Sequence, residues 1–457
     1  MALAQETADA LHSPPVDVRR FVDESPFSIY QKLLLGLCFI TTFVDGFDTQ
    51  VVAVAGPMLR TEMGLGPAQL GTIFAAAMIG GIVAAFAMAP FADRVGRRPL
   101  LIAALMASAV LSVGNGFAGT FGQLFAFRLG AGVFLAVAVT VAYAYAAEVA
   151  PKRAAATAVM IASAGFGLGV AATGFLSVWL IPHFGWRSIF YAGGAGAFAL
   201  SLLLLCVLPE SVRFMAQRDG HEVQIRKFLR RIDPRVALPP STRFFLNEER
   251  KTNVSLADVL GAGRSLIAIP LWISTFSLAF VVYVLMQWLP VFVTSGGGGA
   301  GRAGEAVGWF KLGGVVGGFI CAACIERARN PYPILAAFLI PACATFVGMA
   351  MAPAGTGLFI ASVAISGVLL NGPLYASNGL VGRLFPTYVR TGGLAITAGV
   401  GRMGAMAGPF SVGLLLQAGW SVPEVLQAAP IPLLVSVVFV SLLSLRERAL
   451  VHSADAA

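Results

Sequence analysis

The stretch Asp93-Arg94-Val95-Gly96-Arg97-Arg98-Pro99 separates two apolar runs, 69–91 and 100–118. Each run is long enough to cross a bilayer, which takes about 20 apolar residues. Between them the heptad packs an acid, a glycine that can turn the chain, three arginines and a helix-starting proline. It reads as a tight charged turn at one membrane face. After a later apolar run, 304–325, comes Glu326-Arg327-Ala328-Arg329-Asn330-Pro331, in which acid, arginines and proline recur with one residue lost. A repeated membrane hairpin predicts two related halves around a central pathway.

Working outward, apolar runs are also found at 33–56, 122–147, 155–180 and 187–208, then at 265–294, 333–352, 355–381, 391–417 and 424–445. That gives an all-α polytopic membrane protein of twelve transmembrane helices in two six-helix halves, 33–208 and 265–445. A polar linker, 209–264, joins them; it holds eleven basic residues, and its segment 223–232 is expected to lie as a basic amphipathic helix on the inner leaflet. Residues 1–32 and 446–457 are read as tails. Residues 1–31 carry Glu6, Asp9, Asp17, Asp23 and Glu24 and no apolar run, so the segment is read as cytoplasmic rather than as a cleaved signal.

Composition agrees. Of 457 residues 58% are apolar and 12% charged, with a mean hydropathy of +0.82, too little charge to cover a water-facing surface. The net charge of +9 does not indicate nucleic acid. With the N-terminus inside, 25 of the 31 lysines and arginines fall in tails and loops of one face; only Arg60, Arg187 and Arg302 face outside. This is the positive-inside bias, and it puts both termini in the cytoplasm of an inner-membrane protein. The five cysteines all lie in apolar runs; Cys321 and Cys324 are read as packing residues, with no metal or cofactor implied. No nucleophile–base constellation marks an enzyme.

The heptad from Asp93 resembles the signature between the second and third helices of the major facilitator superfamily. The resemblance implies a gate network, to which Asp93, Arg94, Arg97 and Arg98 belong. Glu148 and Arg153 at the end of the fourth span, Glu210 and Arg213 in Leu208-Pro209-Glu210-Ser211-Val212-Arg213-Phe214, and Arg390 join them as gate candidates. For Glu148 an ordinary helix-end salt bridge remains open. The superfamily pattern opens with glycine four residues before the acid, where this chain has Ala89.

Within the superfamily, Asp45-Gly46-Phe47-Asp48-Thr49 is similar to the most characteristic stretch of the aromatic acid:proton symporter family. Phe184-Gly185-Trp186-Arg187-Ser188-Ile189-Phe190-Tyr191 resembles that family too. The resemblance implies uptake of a benzoate- or hydroxybenzoate-like carboxylate with protons, by a monomer without cofactors. The 208–214 stretch is shared with sugar porters, so a sugar or polyol symporter is the rival, and a transporter-like sensor a more distant one.

Charges inside spans are costly and need a reason. Asp45 and Asp48, three apart, share a helix face. Two carboxylates in a poorly solvated cavity cannot both ionise cheaply, the property a proton-coupling site needs. Arg128, in Arg128-Leu129-Gly130, is placed by the resemblance beside one or other of them. Arg402, among glycines, can grip a carboxylate with two parallel hydrogen bonds and is the first choice for the substrate's anion; pairing with Asp45 or Asp48 stays open. Tyr143, Gln287, Trp288 and Asn378 are expected to line the substrate pocket, with Tyr145, Tyr283, Asn371 and Tyr375 on the same helices. Lys311 is expected to snorkel to an interface.

Overall fold

The computed structural model describes residues 15–87, 94–218, 220–236, 238–239, 242–246, 255–261, 263–328 and 330–455, side chains at 86–87, 378–379, 382–383, 387, 391 and 446–455 excepted. Eleven of the described helices are long and apolar enough to cross a membrane. The helix Thr387–Gln417, the eleventh span in chain order, completes twelve. Several overshoot the apolar runs that predict them. Ile29–Glu62 has 34 residues, and at 1.5 Å per residue it is about 51 Å long, well beyond a hydrocarbon core of about 30 Å.

Local chemistry starts these helices. Ser28 and Gln31 form a reciprocal capping box at the first span, and Thr120 caps the fourth by accepting from the Gln123 amide. Gly96 has φ 106°, a region L side chains rarely adopt, and leads directly into the third span, Arg97–Phe117. The turning glycine of the heptad is thus a steric requirement.

The first span packs on the fifth (Ala155–Phe184), the second (Pro67–Ala87) on the fourth, and the eighth (Ala300–Arg327) on the tenth (Gly357–Leu384). The halves meet where the fifth span touches the eighth, the second the eleventh, and the first the seventh (Ser265–Ser295). The apolar core records how they meet. One cluster draws on both halves: it holds Val51–Leu59, Phe74 and Phe190 together with Leu285–Phe292, Phe310 and Val412. A second cluster, with Leu34, Leu101, Tyr145 and Leu204, belongs to the first half alone, and a third, with Leu271, Tyr332 and Phe385, to the second half alone. The single-half clusters lie toward the end of the bundle that carries the described terminal segments and linker. At that end the halves part; at the far end they share one core.

Backbone contact seals the far end. A Cβ on Gly174 of the fifth span would lie 2.6 Å from the Gly308 amide nitrogen of the eighth. Only hydrogen fits there.

The linker helix Glu222–Ile232 does form, but its apolar face is not offered to lipid. Ile225, Phe228, Leu229 and Ile232 are buried in the first half's own cluster. Beside it, Val16–Asp17 pairs in parallel with Phe244–Phe245. The amphipathic pattern is a docking face, and protein rather than leaflet satisfies it.

Candidate transport site

Asp45 and Asp48 point about 60° apart, since three residues turn a helix by about 300°. Packing then separates them. Asp48 is 4% exposed. Its Oδ2 accepts from Arg128 Nη1 at 2.8 Å, the same nitrogen reaches the Asp48 carbonyl at 3.1 Å, and Ser112 donates to Oδ1. Arg128 is itself fully buried. First, third and fourth spans are thereby pinned at one depth by a compensated ion pair.

Asp45, about 60° round the same helix, is surrounded differently. It is half-buried and makes no hydrogen bond or ion pair with a described residue. Arg402 of the eleventh span and Arg128 both lie within its electrostatic reach. So does the wider surround: Tyr143 and Tyr283 each sense Asp45, Arg402 and Tyr375. These groups are enclosed by helices, yet all keep part of their accessible surface. Asp45 and Tyr143 come from the first half and Arg402, Tyr283 and Tyr375 from the second, so a carboxylate, a guanidinium and three phenols share one electrostatic neighbourhood where the halves meet. Arg402 makes no hydrogen bond to a described residue, so its donors remain open.

Gly46 makes this geometry possible. The backbone carbonyl of Phe166 packs directly on its Cα, where any side chain would collide. The fifth span therefore lies flush against the acid pair.

Other expected pocket residues fall elsewhere. Trp288 is fully buried, donates to the Pro409 carbonyl at 2.9 Å and meets Phe74 edge-on. It belongs to the far-end seal rather than the cavity wall. Gln287 is also buried, its Oε1 without a partner; neighbouring Gln50 bridges the halves by donating to the Met286 carbonyl at 2.9 Å. Tyr145 is buried and donates to the Pro209 carbonyl at 3.1 Å, on the gate side. The side chain of Asn378 is outside the described residues. Lys311 does not snorkel: it is 2% exposed and donates to Asn371 Oδ1 at 2.9 Å. Tyr283 and Tyr375, already named among the groups of the pocket helices, complete the site together with Ser112, to which no signal in the sequence pointed.

The gate candidates of the first half come together. Glu210 accepts from the Arg97 and Arg98 amides at 2.9 and 3.1 Å, an anion at the start of the third span. Glu148 lies 3.4 Å from Arg97 and 3.8 Å from Arg213. Arg98 donates to the Leu205 carbonyl, Arg153 to that of Ser25, and the Arg94 carbonyl accepts from Arg218. A cavity of about 420 Å³ opens between Arg19, Arg97, Glu148, Ser211 and Arg213. Asp93 lies outside the described residues. Arg390 stands apart in the second half, donating only to the Phe385 carbonyl among the described groups.

Two helical halves, sealed at one end and parted at the other around charged groups at mid-depth, define a secondary transporter. The chain belongs to the Major Facilitator Superfamily, whose family model matches residues 38–377. It is 33% identical to a gallate transporter of Pseudomonas putida, over 90% of this chain and 91% of that one. It is 31% identical to the 4-hydroxybenzoate transporter PcaK of the same organism, covering 91% and 93%. Among solved structures it is similar to the inward-open xylose transporter XylE of E. coli, with a TM-score of 0.71 at 16% identity, over 90% and 96% of the two chains. That last likeness concerns the fold alone.

Proposed function

We propose that this protein imports an aromatic carboxylate, benzoate- or hydroxybenzoate-like, together with protons, as a monomer in the inner membrane. Both termini and the linker are cytoplasmic, so the parted end opens inward. The observation that carries the reading is the juxtaposition of Arg402 and Asp45, neither hydrogen-bonded to a described residue, with three tyrosines in the same electrostatic neighbourhood, in a chain whose relatives above 30% identity are named for gallate and 4-hydroxybenzoate transport.

The coupling follows from competition for one guanidinium. Arginine keeps its charge at any working pH. When Asp45 is ionised, it and the substrate carboxylate compete for Arg402. When Asp45 holds a proton, Arg402 is free to grip the substrate with two parallel bonds. Tyr143, Tyr283 and Tyr375 offer ring faces and hydroxyls to an aromatic ring. Asp48 is engaged by Arg128 and ties the first span to the fourth. The glycine-bordered gate around Glu148 and Glu210 opens and closes the cytoplasmic end. Import of an anion against a negative-inside potential costs about 2.3 kcal/mol per charge at 100 mV. One proton removes that cost, and a second would make the potential a driving force.

Proteoliposomes under an imposed pH gradient test the reading. 4-Hydroxybenzoate should accumulate when the outside is acid, and Arg402→Lys should lower uptake about tenfold or more, since the paired geometry is lost while the charge remains. Accumulation of a sugar instead, or Arg402→Lys uptake equal to wild type, overturns it.

A further inference from the structure

Lys311 is a buried base with no carboxylate partner among the described residues. Its Nζ donates to Asn371 Oδ1 at 2.9 Å, and Asn371 donates its own amide to the Gly367 carbonyl at 3.0 Å, which fixes the oxygen toward the lysine. The rings of Phe310 and Phe166 lie 5.4 and 6.0 Å from Nζ. An ammonium carries three donors, and among the described residues only Asn371 takes one. A charge buried with a single neutral acceptor is poorly compensated.

Its place in the fold connects it to the cavity. Phe166 turns its ring toward Lys311 while its carbonyl packs on Gly46, between Asp45 and Asp48. One turn along the tenth span from Asn371 stands Tyr375, which shares the cavity with Tyr143 and Tyr283. Lys311 thus sits on the seam of the two halves, beside the segment that bears both acids.

The interior charges do not balance. Away from the helix ends, the spans contain two acids, Asp45 and Asp48, and three bases, Arg128, Lys311 and Arg402. Asp48 is committed to Arg128. One carboxylate, Asp45, is left against two bases: Arg402 lies within its electrostatic reach, and Lys311 has no carboxylate partner among the described residues. The bundle is short of one negative charge at mid-depth, and a carboxylate substrate brings one.

We infer that Lys311 is a second anchor for the substrate carboxylate, holding it from the eighth span while Arg402 holds it from the eleventh. The inference rests on the aromatic-carboxylate reading and adds a residue of the second half to its site. Both anchors then belong to the C-terminal half, while Asp45, which competes with the anion for Arg402, belongs to the N-terminal half.

The test is calorimetric binding of 4-hydroxybenzoate and of the uncharged 4-hydroxybenzamide to purified protein in detergent. Wild type should prefer the acid. Lys311→Met should weaken acid binding about tenfold or more, the scale of a lost charged hydrogen bond, with amide binding moved less than about twofold. Lys311→Arg should recover most of the loss. Asn371→Asp keeps the lysine and gives it an internal anion; it should also depress acid binding selectively, and it serves where Lys311→Met fails to fold. Variants that bind the acid as wild type does, or that lose acid and amide equally, overturn the assignment. Wild type that binds acid and amide alike overturns the carboxylate reading itself, and Lys311 with it.

Discussion

Asp45 and Asp48 differ in what surrounds them, and substitution separates the consequences. Asp48→Asn leaves the Arg128 guanidinium buried with no carboxylate, and breaking a buried pair from one side costs about 3–5 kcal/mol. The variant should melt lower in detergent and yield little folded protein. Asp45→Asn breaks no hydrogen bond or ion pair with a described residue. It should fold normally and exchange labelled substrate across the membrane, yet fail to accumulate it under a pH gradient. Uphill accumulation by Asp45→Asn would move the proton site elsewhere. The sequence made the pair visible as two acids on one face, because spacing alone fixes that. It could not divide them, since the division depends on Ser112 and Arg128 arriving from other spans. The same blindness misplaced Lys311, whose depth along its own helix says nothing of Asn371 on the tenth span. Trp288 and Tyr145 are polar-tipped aromatics within spans, and nothing local distinguishes a cavity wall from a sealed core.

At the scale of elements, the twelve spans were legible because hydrocarbon imposes length and apolarity on each one. The linker helix was legible only in part. Its periodicity marks an apolar face, but periodicity is silent on what covers that face. Phe228 and Leu229 are buried against the first half, whereas Val223 is 70% exposed. An aspartate at Phe228 or Leu229 should therefore destabilise the protein by about 3 kcal/mol, as an unpaired charge in a core does. Val223→Asp on the same helix should be nearly neutral. Melting temperatures in detergent separate the cases, since a helix resting on lipid would show no such contrast once the bilayer is removed. The docked helix also explains why the gate network around Glu148 is confined to the first half. The linker helix and the short helix Val18–Glu24 brace the ends of the spans that carry it.

At the scale of the molecule, the decisive feature is the unequal distribution of core: shared at the far end, split at the other. Alternating access requires the shared end to part in turn, so a covalent tie there should hold the protein in the state described. The fifth and eighth spans provide the place. A Cβ on Gly301 would lie 3.8 Å from Val178 Cγ1, the position a cysteine sulfur would occupy. In a disulfide a Cβ lies about 3 Å from the partner sulfur, so a shift of somewhat under 1 Å closes the bond. In a background without the five native cysteines, Val178→Cys with Gly301→Cys should cross-link on oxidation. The oxidised protein should keep its affinity for substrate in detergent, because the cavity stays open at the terminal end. Uptake into proteoliposomes should stop, and a reductant should restore it. Each single cysteine should transport normally under the same oxidant. If the cross-linked protein transports at its reduced rate, the far end does not have to open, and the substrate takes a route other than the seam between the halves.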